Sequence, residues 1–318
     1  MKHNDSFVSW QAVWWMFTII GLPVALPWIF FNFMNTISMK KKKAALNGKV
    51  VLITGASSGL GEALARVFYS YGCKLILVAR RKPELQRVKD TLLSTHHTVP
   101  THVPIIISID LAEIHSLPSE VAKVLEIYEK VDVLINNAGI SYRGEILDTK
   151  TDIDVKVMLI NYFGQVALTK AVLPSMVKQN CGHVVCISSI QGKIAIPFRS
   201  AYAASKHALQ AWCDTARAEL DTKKIKVTVV NPGYIKTSLS LNAVTGSGEK
   251  YGIMDETTEK GYPPSEVAEK ILNAVLRGDE ELTICNFSQR VAILIRVMWP
   301  SAYFWIMKYR AKKLRKNK

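Results

Sequence analysis

The first pattern along the chain is a long stretch without charge. Residues 6–39 contain no Asp, Glu, Lys or Arg, and Lys40, Lys41, Lys42 and Lys43 follow directly. About 20 apolar residues cross a bilayer as a helix, so this run is long enough even when tilted. Gly21, Pro23 and Pro27 interrupt it and predict a kinked or partly re-entrant helix. The run is longer than the apolar core of a cleaved signal peptide and ends without a clear small-residue cleavage site. Residues 1–46 therefore read as an uncleaved membrane anchor with a basic flank.

Beyond the lysines the rhythm changes. Short apolar runs at residues 49–53, 74–79, 104–109, 131–135, 183–187 and 226–230 alternate with longer stretches at helical spacing, the first at 62–71. Such alternation predicts an α/β fold: a doubly wound parallel sheet of Rossmann type with helices on both faces, forming one catalytic domain over residues 47–288. Right-handed crossovers leave the C-terminal ends of the strands as the ligand-binding edge. Two segments break the pattern. Residues 238–264 carry Gly246, Gly248, Gly252 and Gly261 after a strand end, which predicts a mobile lid over the substrate or an ordinary surface loop. Residues 289–318 form a third region. Its apolar part, 291–307, contains Trp299 and Trp305 and fits an interfacial helix, or one packed on the core or on a second subunit.

The net charge of +15 raises the question of nucleic acid. Lys40–Lys43 account for four of those charges. Lys308, Arg310, Lys312, Lys313, Arg315, Lys316 and Lys318 account for seven more, leaving +4 for the rest. Cations gathered beside apolar ends suit anionic lipid headgroups better than a duplex groove, so no nucleic-acid partner is expected. Cys73, Cys181, Cys186, Cys213 and Cys285 are odd in number and lack metal spacing. Free thiols in a reducing compartment and no metal site follow, with His96-His97 a polar loop pair.

Thr54-Gly55-Ala56-Ser57-Ser58-Gly59-Leu60-Gly61 lies between the first strand and the first helix of the domain. Gly55, Gly59 and Gly61 permit a tight turn, close backbone approach to a pyrophosphate and close helix packing. Amide groups at the helix start favour the phosphates. The second strand ends in Ala79-Arg80-Arg81-Lys82, without the acid that would bind a ribose 2′-hydroxyl. These cations suit a 2′-phosphate, favouring NADP over NAD, with Arg80 as principal contact and Arg81 second. Asp110 suits the adenine amino group, and Asn136-Asn137-Ala138-Gly139 the adenosine side of the cleft.

Tyr202-Ala203-Ala204-Ser205-Lys206 puts a phenol and an ammonium on one helical face. A tyrosine near pKa 10 is a poor acid–base group at neutral pH, and a nearby ammonium is expected to lower it. Ser188-Ser189 offers a hydroxyl to a substrate oxygen.

With these pieces in this order, and with Asn231-Pro232-Gly233, the chain resembles the short-chain dehydrogenase/reductase family. The resemblance implies Tyr202 as general acid for carbonyl reduction, Lys206 tuning it and holding the nicotinamide ribose, and Ser189 stabilising the reacting oxygen. It also implies Asn161 holding a relay water, cofactor contacts from Ser57, Ser58, Leu60, Pro232 and Gly233, and Thr237 at the nicotinamide carboxamide. Ser188-Ser189-Ile190-Gln191-Gly192-Lys193, Pro197-Phe198-Arg199-Ser200, Ser141-Tyr142-Arg143 and Tyr251-Gly252-Ile253-Met254-Asp255 are similar to the member 7B branch. That branch is membrane-anchored and associated with reduction of acyl- or alkyl-dihydroxyacetone phosphate. Arg143 and Arg199 are candidates to clamp the substrate phosphate, the alternative for each being an ion pair within the protein or with a partner subunit.

Two other readings stay open at this point: a steroid, retinoid or other apolar carbonyl as substrate, and a cofactor-binding scaffold with incidental activity. The lysine run predicts a cytosolic catalytic domain, and the resemblance an endoplasmic reticulum or peroxisomal membrane. Asn4-Asp5-Ser6 and Asn286-Phe287-Ser288 are formal glycosylation acceptors. The family implies a homodimer through the helices carrying Asn161 and Tyr202.

Overall fold

The computed structural model describes Trp14, Trp15, Thr18, residues 22–96 and residues 99–316. Asn4-Asp5-Ser6, His97 and part of the uncharged run lie outside the described residues. The chain divides into two compact units between Ala45 and Leu46. In the first, helix α1 (Leu22–Ala44) runs through Pro27 and ends in Lys41, Lys42 and Lys43. Cations in a last turn complement the helix dipole. Its Trp28, Phe30, Phe31 and Phe33 are exposed.

The second unit is built on seven parallel strands. They are β1 (Val50–Thr54), β2 (Lys74–Ala79), β3 (Ile105–Ser108), β4 (Val133–Asn136), β6 (Gly182–Ile187), β7 (Ile225–Pro232) and β9 (Glu281–Ile284), in the order β3-β2-β1-β4-β6-β7-β9. Alternate side chains divide the core into two layers. Val51, Ile53, Leu75 and Leu77 join Leu64 and Phe68 of α2 (Gly59–Ser70), Leu85 of α3 (Lys82–Ser94) and Ile271 of α9 (Pro264–Arg277). Val50, Leu52, Ile76 and Val78 join Val121 of α4 (Leu117–Tyr128), Leu168 of α6 (Gly164–Gln179) and Leu209 of α7 (Ser200–Leu220). Each fully buried aliphatic side chain contributes roughly 1.5–3 kcal/mol, which explains why continuous apolar runs become central strands.

The chain order reverses about β1, with β2 on one side and β4 on the other. That switch point opens a crevice at the strand C-termini. The sequence reading omitted β9 and a small parallel pair of β5 (Tyr142–Arg143) with β8 (Val244–Thr245). Both are short: β9 is an edge strand beginning with an exposed glutamate, and the pair has two residues per strand. The pair holds the segment expected as a lid or loop. Ser240, Ala243, Val244 and Thr258 are buried, a four-residue helix α8 (Glu256–Glu259) forms within it, and it packs as one wall of the cleft. The C-terminal region is two helices, α10 (Phe287–Met298) and α11 (Pro300–Lys316), divided at Trp299.

Candidate active site

A cleft of about 800 Å³ lies along the strand C-termini. At one end it is shaped by backbone. Gly55 has φ +66°, and a Cβ there would lie 2.9 Å from Ala138 Cα. A Cβ on Gly61 would lie 2.1 Å from the Gly55 carbonyl oxygen, so only glycine lets α2 start against this turn. Gly61 accordingly packs behind the turn and, unlike Gly55, Ser57, Ser58, Gly59 and Leu60, does not line the cleft. Ser58 precedes α2 without a side-chain cap bond, leaving the first-turn amides to an anion. Thr237 lines the cleft beside Gly59, where an added Cβ would lie 3.1 Å from Thr237 Cγ2. Pro232 and Gly233 continue that wall.

Arg80, Arg81 and Asp110 line the same end. Arg80 faces Asp110 at 3.8 Å, and Arg81 donates to Ser57 Oγ at 3.3 Å. The Asn137 side chain donates to the Thr54 carbonyl at 2.9 Å, fixing β4 to the glycine turn. Asn137, Ala138 and Gly139 line the cleft, whereas Asn136 turns into the core and donates to Thr169 Oγ1 at 2.7 Å. A turn that admits only glycine, open amides and two arginines beyond β2 fit a dinucleotide bearing phosphates.

At the other end Ser189, Tyr202 and Lys206 meet. Ser189 lines the cleft; its Oγ accepts from Gln191 N at 3.1 Å and donates to the Pro232 carbonyl at 3.5 Å. Lys206 Nζ donates to the Ile187 carbonyl at 2.8 Å and lies 5.8 Å from the Tyr202 ring centroid. Asn161 occupies a π-helical turn (Leu159–Phe163) between α5 (Thr151–Met158) and α6. Such turns recur at functional sites. Its side chain makes three hydrogen bonds: Oδ1 accepts from Ile140 N at 2.8 Å, while Nδ2 donates to the Ile140 carbonyl at 2.9 Å and to Ser205 Oγ at 3.1 Å. It thereby ties the loop after β4 to the helix carrying Tyr202.

Burial shifts both Tyr202 and Lys206 from their ordinary values. Burial pushes the phenol up, and the Ser189 hydrogen bond and the Arg143 and Arg199 charges only partly offset this. Burial also pulls Lys206 down to about 8, against the pull of Cys186 and Cys213. Both groups are removed from water, and the ammonium is directed to a carbonyl, so the protein alone leaves Tyr202 a firm proton holder.

The two candidate phosphate contacts converge on one carboxylate. Arg143 Nε donates to Asp255 Oδ2 at 2.9 Å, and Arg199 Nη2 approaches the same oxygen at 3.4 Å. Arg143 lines the cleft; Arg199 does not, and it also donates to the Phe198 carbonyl at 2.9 Å. Burial pulls Arg199 down to about 10, and the neighbouring Arg143 adds to that. The internal ion pair weighed for both arginines is present. Sequence reasoning did not single out Asp255 as their partner, although Asp255 closes a motif it did note. It also left out Ile306, Met307 and Arg310 of α11, which line the cleft from the far C-terminus.

Comparison with known proteins agrees with this geometry. Residues 49–247 match the family model described as short chain dehydrogenase. The chain is 52% identical over 314 residues, 99% of each chain, to the "Dehydrogenase/reductase SDR family protein 7-like" of Anopheles gambiae. It is 48% identical over 288 residues, 91% of this chain and 89% of the relative, to the "Dehydrogenase/reductase SDR family member 7B" of Mus musculus. Among solved structures, an alcohol dehydrogenase from Thermococcus sibiricus, complexed with 5-hydroxy-NADP, superposes with TM-score 0.63 at 27% identity, covering 75% of this chain and 96% of that one. The glycine turn, the buried Tyr202–Lys206 pair and the matched span lead to one assignment: this chain is an oxidoreductase that belongs to the short-chain dehydrogenase/reductase family.

Proposed function

We propose that this protein is a membrane-anchored, NADP-dependent reductase of a lipid-like ketone, with acyl- or alkyl-dihydroxyacetone phosphate as substrate. The observation that carries the reading is the charge beside the acid. Two guanidinium groups share the single carboxylate of Asp255, and both act on Tyr202. The excess positive charge suits a phosphate one carbon from the reacting carbonyl. The names of the relatives support a reductase, and the bound 5-hydroxy-NADP of the Thermococcus sibiricus enzyme supports a nicotinamide cofactor. Arg80 and Arg81, in place of an acid after β2, support NADP over NAD.

When bound, the nicotinamide supplies the hydride. Ser189 then donates a hydrogen bond to the substrate oxygen, and Tyr202 delivers its proton to that oxygen as negative charge develops. Lys206 keeps a cation beneath the phenol, and Asn161 holds the loop and helix in register. The uncharged run and α1 anchor the enzyme in the endoplasmic reticulum or peroxisomal membrane, with Lys40–Lys43 and the catalytic unit on the cytosolic side. Exposed Val155 and Phe163, beside Asn161, suit a homodimer face. The test follows NADPH oxidation by the full chain in nanodiscs on adding alkyl-dihydroxyacetone phosphate, with product identified by mass. Formation of the corresponding alcohol is expected. No turnover from protein that binds NADPH would overturn the substrate and send the search to steroids and retinoids.

A further inference from the structure

Helices α10 and α11 lie beyond residue 247, where the family match ends. Between them runs an apolar groove of about 360 Å³. Val291 and Ile295 of α10 face Tyr303 and Ile306 of α11 across it. Its polar groups are already used: Ser288 Oγ donates to Asn286 Oδ1 at 2.9 Å, and the Tyr303 hydroxyl donates to the Ala195 carbonyl. A slot of this size, lined by apolar side chains and with its side-chain polar groups already paired, suits an apolar ligand.

The groove continues the active-site cleft. Ser288, Ala292, Ile306 and Met307 line both. Phe287, which is 82% exposed, lines the groove and marks its open side. The helices are fixed to the catalytic unit. Asn286 and Gln289 form a capping box at the start of α10, and Gln289 packs where a Cβ on Gly233 would lie, 2.6 Å from its Oε1. Arg296 lies 5.8 Å from the Tyr303 ring centroid, and Arg315 pairs with Glu145 at 2.9 Å. The slot is held open by these contacts, although α10 buries no residue and α11 only Tyr303.

We infer that the groove between α10 and α11 holds the hydrocarbon chain of a lipid whose carbonyl sits at Tyr202 and Ser189. The inference rests on the lipid-ketone reading above. An ester or ether chain on the far side of the ketone from the phosphate leaves the cleft past Ile306 and Met307 and lies between the helices. The phosphate stays near Arg143.

The test titrates straight-chain 1-alkanols, from butanol to decanol, into the full chain in nanodiscs, with empty nanodiscs as the blank. Each methylene that enters the groove is expected to raise affinity about fourfold. Ile295→Trp, which fills the groove without touching the cleft lining, is expected to flatten that gain, and Ile295→Val to keep it. Should Ile295→Trp fail to fold, Val291→Phe makes the same test, with thermal melting as the check. An equal gain per methylene in wild type and a folded filled variant, or no gain in wild type, overturns the groove. Chain-length gain that persists while turnover ignores the phosphate leaves the groove standing and removes only the phosphate half of the reading.

Discussion

The two ends of the cleft are made of different materials. The nucleotide end is built chiefly on backbone: a glycine turn, the amides opening α2 and the C-termini of β1 and β4, with Arg80 and Arg81 added beyond β2. The substrate end is side chains from distant segments, where β5 brings Arg143 to Asp255, 112 residues away, and α11 supplies Arg310. Backbone cradles tolerate little change because an added atom has nowhere to go. A side-chain wall can be exchanged piece by piece, so one reaction can serve many substrates. The comparison predicts that the nucleotide end and the substrate end can be altered separately.

The largest effect is expected at the reacting centre. Tyr202→Phe removes the proton donor and is expected to lower kcat by about 10²–10⁴ while NADPH affinity, read by fluorescence titration, stays near wild type. A variant with wild-type kcat would place the proton source elsewhere. Next is the nucleotide end. On the proposed contact of Arg80 with a 2′-phosphate, Arg80→Ala removes roughly 1.5–3 kcal/mol, so a preference for NADPH over NADH should fall about 10- to 100-fold. An unchanged ratio of kcat/KM for the two cofactors would remove Arg80 from that role.

Gly61→Ala tests the backbone cradle without touching a cofactor atom. Its Cβ would stand 2.1 Å from the Gly55 carbonyl, and the overpacking costs about 1–3 kcal/mol. A Tm lower by several degrees and weaker NADPH binding are expected together. A stability loss with intact binding would mean that turn and pyrophosphate site are not one unit.

The smallest effect is a slope with pH. Lys206 holds its proton up to about 8 when folded, against an ordinary value of 10.5. Between these values the unfolded chain binds a proton that the folded chain has released, so stability rises with pH across that window. Tyr202 is raised, which acts oppositely above its ordinary 10. Urea melts at about pH 8 and pH 10 should therefore show a gain in wild type that Lys206→Met lacks. The same gain in both proteins would assign it to other groups.

This contrast also explains what was legible in the chain. Strand β2 was read with its exact ends, because a buried parallel strand is an unbroken apolar run between turn signals. The glycine turn, Ser189, Tyr202 and Lys206 carry their chemistry in residue type and local spacing. Strand β9 escaped because an exposed edge strand needs no such run. Asp255 escaped as the partner of Arg143 because nothing local says which acid a distant arginine meets. Segment 291–307 was read as one apolar piece, yet Trp299 and Pro300 break it into two helices that fold back on each other. The direction of the Tyr202 shift needed the burial of the phenol, which spacing alone does not report.

The most direct test of the account is the ratio of kcat/KM for alkyl-dihydroxyacetone phosphate to that for its dephosphorylated ketone, in wild type and in Arg143→Ala. Charge-assisted contacts of roughly 1.5–3 kcal/mol predict a wild-type ratio of about 10–100 that falls toward one in the variant. A wild-type ratio near one, from protein that turns over both ketones, would contradict the phosphate reading and return the substrate to the wider class of apolar carbonyls.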